Sequence, residues 1–169
     1  METALTPMEF SRRAKNLYAD REAVVADDLR FSYAEFLERC DRWSNALQKL
    51  GVKQGDRVAY IAPNTHSHLE GYYAVPQIGA VLVPINYRLQ SSDFEYILNH
   101  CGAKIVCAHP DYMDAVDEIR GQLKSIESFV ALEGSREGWL EYKTTLQAHD
   151  PDFQSVSIDE TDLITINYT

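Results

Sequence analysis

Arg57-Val58-Ala59-Tyr60-Ile61-Ala62, the corner Pro63-Asn64-Thr65, and then Ala80-Val81-Leu82-Val83-Pro84-Ile85 form the stretch from which the fold is read. Each apolar run is of strand length and shows no polar alternation, so it reads as a strand covered on both faces. The corner leads into a helix running to about Gly79, and Pro76 inside it predicts a kink or a break. Strand, helix, strand is a βαβ unit, which makes the two strands parallel.

The same alternation continues downstream. Ser92-Asp93-Phe94-Glu95 reads as a capping box opening a helix that stops at Gly102. Lys104 to Ala108 is a third strand, Tyr112 to Leu123 a helix, Phe129 to Leu132 a fourth strand and Trp139 to Ala148 a short helix. His149 to Thr161 reads as an irregular connector, and Leu163 to Tyr168 as a last strand, expected to be interior in the parent protein. Upstream, Thr6-Pro7-Met8-Glu9 is a capping box with proline at the first helical position, followed by Phe10, Ala14 and Leu17 at helical spacing. A hairpin turns at Asp27-Asp28. Ser32 to Glu35 caps the longest helix, with Phe36, Leu37, Cys40, Trp43, Leu47 and Leu50 on one stripe and Gly51 as its stop. The expected fold is α/β: a layered, largely parallel sheet with helices on both faces, preceded by a short helix and a hairpin. No internal repeat interrupts it.

Composition narrows the function classes. The 169 residues are 45% hydrophobic and 25% charged, average for a globular domain. The net charge of −10, with no basic run, disfavours a nucleic-acid backbone or an anionic membrane as partner. No apolar stretch reaches the roughly 20 residues that span a bilayer. Cys40, Cys101 and Cys107 are odd in number, lack metal-like spacing and sit in apolar contexts, so they read as small buried hydrophobes in a reducing compartment. Met1 to Pro7 lacks a secretory leader's basic start and apolar core. The expected location is cytoplasmic.

Chemistry-bearing motifs are few. No G-x-G-x-x-G follows a strand, which weighs against a nicotinamide-cofactor domain, and neither G-x-x-x-x-G-K-[ST] nor G-x-S-x-G occurs. His66 and His68 are two apart at a helix start and point to different faces, so they read as polar cap or pocket-lining residues rather than one chelate. His100 lies in a last helical turn, where a cation complements the dipole. His109 and His149 sit in loops with no partner readable from sequence. Asp114, Asp117 and Glu118, with Arg120 and Lys124, read as a solvated helix face. Asp150, Asp152, Asp159, Glu160 and Asp162 read as a solvated loop. Tyr60, Tyr72, Tyr73, Tyr87 and Tyr96 read as core-edge residues or as lining of a substrate pocket.

Four segments in fixed order carry a resemblance. They are Phe31 to Phe36, Leu50 to Ala59 with Pro63-Asn64, Ile78 to Asn86, and Asp162 to Thr169. Together they resemble the N-terminal third of the adenylate-forming (AMP-binding) superfamily, and Asn86-Tyr87-Arg88-Leu89 is most similar to fatty-acyl and aromatic acyl-CoA ligases. The resemblance implies a parent enzyme that uses ATP and Mg2+ to convert a small-molecule carboxylic acid to an acyl-adenylate. A thiol, usually of CoA, then displaces AMP. It implies that residues 1–169 are the N-terminal portion of the large AMP-binding domain. In that family the strand ending in Tyr168-Thr169 runs into a Ser/Thr/Gly-rich phosphate loop, so Thr169 is the one nucleotide-proximal residue carried over. No catalytic or metal-binding residue is expected within 1–169. The phosphate loop, the rest of the large domain and the C-terminal lid lie outside the quoted sequence, so this stretch alone is expected to be inactive and to associate with itself. The alternative reading is a non-catalytic α/β binding or interaction module on the same scaffold.

Overall fold

A computed structural model describes residues 5–169; Met1 to Ala4, on which part of the leader reading rests, lie outside them. In chain order the elements are α1 (Pro7–Tyr18), β1 (Glu22–Ala26), β2 (Leu29–Ser32), α2 (Tyr33–Lys49), β3 (Arg57–Ile61), α3 (His66–Ala74), β4 (Val81–Ile85) and α4 (Ser91–Cys101). They continue with β5 (Ala103–Ala108), α5 (Pro110–Ile119), β6 (Ser128–Ala131), β7 (Leu140–Glu141) and α6 (Tyr142–Gln147). β1 and β2 form the expected antiparallel hairpin, with Asp27 at φ 50° in its turn. The other five strands make one parallel sheet in the order β4-β3-β5-β6-β7. The two-residue β7 has no counterpart among the sequence expectations.

Period-two alternation splits the core in two. Val58, Tyr60, Leu82, Ile105, Cys107 and Val130 face one cluster with α2, α3 and α6. Ala59, Ile61, Val83, Ile85, Val106 and Ala131 face another with α4 and α5. β3, which lies between β4 and β5, is fully buried from Val58 to Ile61. Gly71 lets α3 lie close on it, because a Cβ there would stand 2.6 Å from Cζ of Tyr60.

Several local readings hold. Ser32 and Glu35 exchange both capping bonds: Glu35 N–H donates to Ser32 Oγ at 3.2 Å, and Ser32 N–H donates to Glu35 Oε2 at 2.8 Å. α3 ends at Ala74, and Pro76 opens a short 3-10 turn to Ile78. Gly51 and Gly79 turn the chain with φ of 88° and 73°. The irregular connector is held by the polar face of α2: Asn45 donates to the Asp150 carbonyl at 2.9 Å, and Gln48 to the Gln154 carbonyl at 2.7 Å.

Others are corrected. Thr6 makes no side-chain cap, and Glu9, the other half of the expected box, accepts instead from Arg12 (Nε to Oε2, 3.0 Å). The apolar stripe of α1 faces outward: Phe10 is 63% and Leu17 57% exposed, and α1 meets α2 through Lys15 and Asp41 at 3.3 Å. The cap of α4 forms two residues earlier than read, with Gln90 N–H donating to Asp93 Oδ2 at 3.1 Å. Cys101 is only partly buried.

Leu163 to Tyr168, read as a strand of six residues, pairs at a single parallel bridge, Thr165 opposite Leu82, beside β4. Leu82 N–H donates to the Ile164 carbonyl at 3.0 Å and Ile166 N–H to the Leu82 carbonyl at 2.9 Å. The next rung on that side of β4 falls at Pro84, which has no N–H to give.

Candidate functional site

The sheet order locates a crevice. α3 carries the chain from β3 to β4 on one side, and α4 brings it back to β5 on the other side of β3. In open parallel sheets ligands sit outside the carboxyl ends of strands where the order reverses in this way. Beside those ends lies a cavity of about 720 Å³, lined by Asp27 of the hairpin turn, Asn64 and His66 of the β3–α3 corner, His68 and Tyr72 of α3, and Glu133 after β6.

Thr65 builds that corner. Its Oγ1 caps α3 by accepting from His68 N–H at 3.3 Å. This turns the His68 ring inward between Tyr60 (centroids 5.2 Å apart, planes at 6°) and Tyr72 (5.2 Å, 22°). Burial holds the His68 imidazole below its ordinary pKa. Neutral His68 donates from Nδ1 to the Pro63 carbonyl at 3.3 Å, and its buried Nε2 has no protein partner. His66 instead packs against Phe31, centroids 5.9 Å apart, so the two histidines part as their spacing required. No group of three or more His, Cys, Asp or Glu among the described residues is arranged to hold a metal ion.

His109, for which no partner was readable from sequence, is well connected. It caps α5, accepting at Nδ1 from Asp111 N–H at 3.4 Å, and its Nε2 lies 3.8 Å from the Glu133 carboxylate. Its own N–H donates to the Ile61 carbonyl at 3.0 Å, which ties the carboxyl ends of β3 and β5. Asn86 to Leu89 turn the exit of β4, with Asn86 Oδ1 accepting from Arg88 N–H at 3.1 Å. Asp114, Asp117 and Glu118 do more than face water. Asp114 pairs with Arg136, Asp117 accepts from Trp139 Nε1 at 2.9 Å, and Glu118 accepts from Ser91 at 2.7 Å. His149 bonds the Thr145 carbonyl through Nδ1 at 2.7 Å.

Beneath the crevice sits a group that sequence reading missed. Glu70 is wholly buried and takes Arg39 on both oxygens, at 2.6 and 3.3 Å, together with the Tyr142 hydroxyl. Burial and then the Glu70 charge push the Tyr142 phenol well above its ordinary pKa. Beside it Trp43 Nε1 donates to Tyr60 Oη at 2.8 Å. The only sequence signal was a carboxylate among the apolar residues of α3.

Thr169 is exposed and does not line the crevice. It follows the bridge at Leu82 on the outer side of β4, where the chain runs parallel to that strand. His100, read as a helix-end cation, faces this segment: its Nδ1 lies 2.7 Å from Tyr168 Oη.

Comparison with known proteins matches this arrangement. The family described as AMP-binding enzyme matches residues 10–169. A long-chain-fatty-acid–CoA ligase of Thermus thermophilus is 39% identical over 151 residues, covering 86% of this chain and 28% of that protein. A peroxisomal benzoate–CoA ligase of Arabidopsis thaliana is 32% identical over 182 residues, covering 98% and 31%. Among solved structures, a fatty acyl CoA synthetase of Mycobacterium tuberculosis superposes with a TM-score of 0.86 at 26% identity, covering 95% of this chain and 32% of that one. An anthranilate CoA ligase in complex with anthranoyl-AMP shares the fold, with a TM-score of 0.94 at 23% identity over 100% of this chain and 33% of its own. The chain spans about a third or less of the curated relatives it matches. The family match over residues 10–169, with relatives above 30% identity across most of the chain, shows that the chain belongs to the AMP-binding enzyme family.

Proposed function

We propose that residues 1–169 are the N-terminal portion of the large AMP-binding domain of an ATP-dependent carboxylate–CoA ligase. The observation that carries this is the 39% identity to a long-chain-fatty-acid–CoA ligase across 86% of the chain. In the proposed reaction a carboxylate oxygen attacks the α-phosphorus of MgATP, the bond to pyrophosphate breaks, and a mixed anhydride with AMP forms. The CoA thiolate then attacks the acyl carbon and AMP leaves with the bonding pair. Mg2+ enters as part of the nucleotide substrate, offsetting phosphate charge.

Within this reading, Thr169 is the nucleotide-proximal residue, at the start of a loop that presents backbone N–H groups to the phosphates. Relatives named for fatty, benzoic and cinnamic acids share the scaffold, so the substrate is assigned as a carboxylic acid of fatty or aromatic type. Residues 1–169 by themselves are assigned no turnover, since the matched enzymes are roughly three times as long. We place the protein in the cytoplasm on its thiol usage; among the described residues no helix is long and apolar enough to cross a membrane.

The test is pyrophosphate release by the complete gene product given MgATP and a panel of fatty and aromatic acids, followed by thioester formation with CoA. Acid-dependent release is expected. Silence across the panel overturns the ligase and leaves the α/β binding module.

A further inference from the structure

We propose that His100 is a positioning residue: through Tyr168 it fixes the chain at Thr169 and thereby sets the affinity for ATP. This rests on the proposed ligase reading, in which Thr169 begins the phosphate loop.

Among the described residues, the segment 163–169 is held to the sheet through two backbone hydrogen bonds, both to Leu82. Pro84 withholds the donor that a further rung toward Thr169 requires. Among the described residues, no backbone hydrogen bond to the sheet follows the one at Ile166. The Tyr168 side chain takes over. Its ring packs against the α4 face of the core, edge-on to His100 with centroids 5.8 Å apart, and its hydroxyl meets His100 Nδ1 at 2.7 Å.

His100 is in turn oriented. Its ring stacks on Tyr96, one helical turn earlier, with centroids 5.4 Å apart and planes at 22°. The backbone at Tyr168 is thus tied sideways to α4 instead of along β4. Thr169 inherits its position from a helix that otherwise only covers the sheet. A loop that cradles phosphates works by presenting preoriented N–H groups, so freedom at its first residue weakens ground-state nucleotide binding more than it slows the chemical step.

The test uses the complete protein. Loss of this exposed hydrogen bond in His100→Ala or Tyr168→Phe is expected to raise KM for ATP on the order of threefold. kcat and KM for the acid should move by less than about twofold. The double variant should be no worse than either single one. His100→Asn carries an amide atom where Nδ1 stands and should restore most of the affinity; His100→Gln, which reaches the Nε2 position, should not. Hydrogen exchange of the Ile166 amide should quicken in His100→Ala.

A wild-type enzyme that turns over, with ATP KM unchanged in both single variants or with fully additive effects in the double variant, overturns the proposal. A wild-type protein silent with every acid overturns the ligase reading and the ATP role with it. Unchanged exchange at Ile166 then also overturns the tether itself.

Discussion

Glu70 carries the largest expected single-residue cost. Its carboxylate is sealed among α2, α3 and α6 and satisfies Arg39 and Tyr142 together. Glu70→Ala removes the anion and leaves a half-buried guanidinium unpaired, a loss of about 3–5 kcal/mol by analogy with broken buried pairs. Urea unfolding should show it as a lower midpoint, with Glu70→Gln less affected because its amide oxygen still accepts. His68 makes a pH prediction. Its folded pKa lies below the ordinary 6.5, so above that value the imidazole is neutral in both states and no penalty applies. As pH falls through 6.5 the unfolded chain takes the proton first, and stability is lost toward the depressed folded value. His68→Gln should flatten that part of the stability–pH curve, by at most about 1.4 kcal/mol per pH unit. Neither role was readable in the sequence. Glu70 meets partners 31 and 72 positions away, and His109 meets Glu133 only because β5 and β6 are neighbours. Local spacing did suffice to separate His66 from His68.

At the scale of elements, the legible parts were those governed by local chemistry. Continuous apolar runs gave β3, β4, β5 and β6 to within a residue or two; Ser32 opened α2, and Pro76 broke α3. The illegible parts depended on neighbours. Leu163 to Tyr168 has strand-like composition, yet the rung after its bridge to Leu82 is withheld by Pro84 on another segment. Pro84→Val restores the missing donor on the outer edge of β4, opposite the Ile166 carbonyl. The variant should extend the pairing by one rung, seen as slowed amide exchange at residue 84. Exchange there as fast as in an unstructured peptide would contradict this account of the edge. The outward stripe of α1 shows the same dependence on neighbours. Periodicity shows that one face is apolar; it does not show that anything lies against it.

Over the whole molecule, two cores of unlike character share one sheet. The face under α2, α3 and α6 holds the Glu70 ion pair and the Trp43–Tyr60 bond, whereas the face under α4 and α5 is mainly aliphatic and aromatic. Outside both lie large apolar side chains in the open, Phe10 and Leu17 on α1 and Val25, Leu29, Leu69 and Tyr72 about the hairpin and α3. Residues 1–169 produced alone are therefore expected to self-associate as concentration rises, and sedimentation velocity checks it; a single monomer boundary at high concentration contradicts it. Strand order, and with it the crevice, was not legible, because nothing in a run of residues states which side of β3 the next strand will take.

The five strands of the sheet pair without help from residues 163–169. A chain still attached to the ribosome can thus pair them before those residues have left the exit tunnel. Residues 163–169 then settle on an edge already waiting for them, and anything translated later starts from a fixed post.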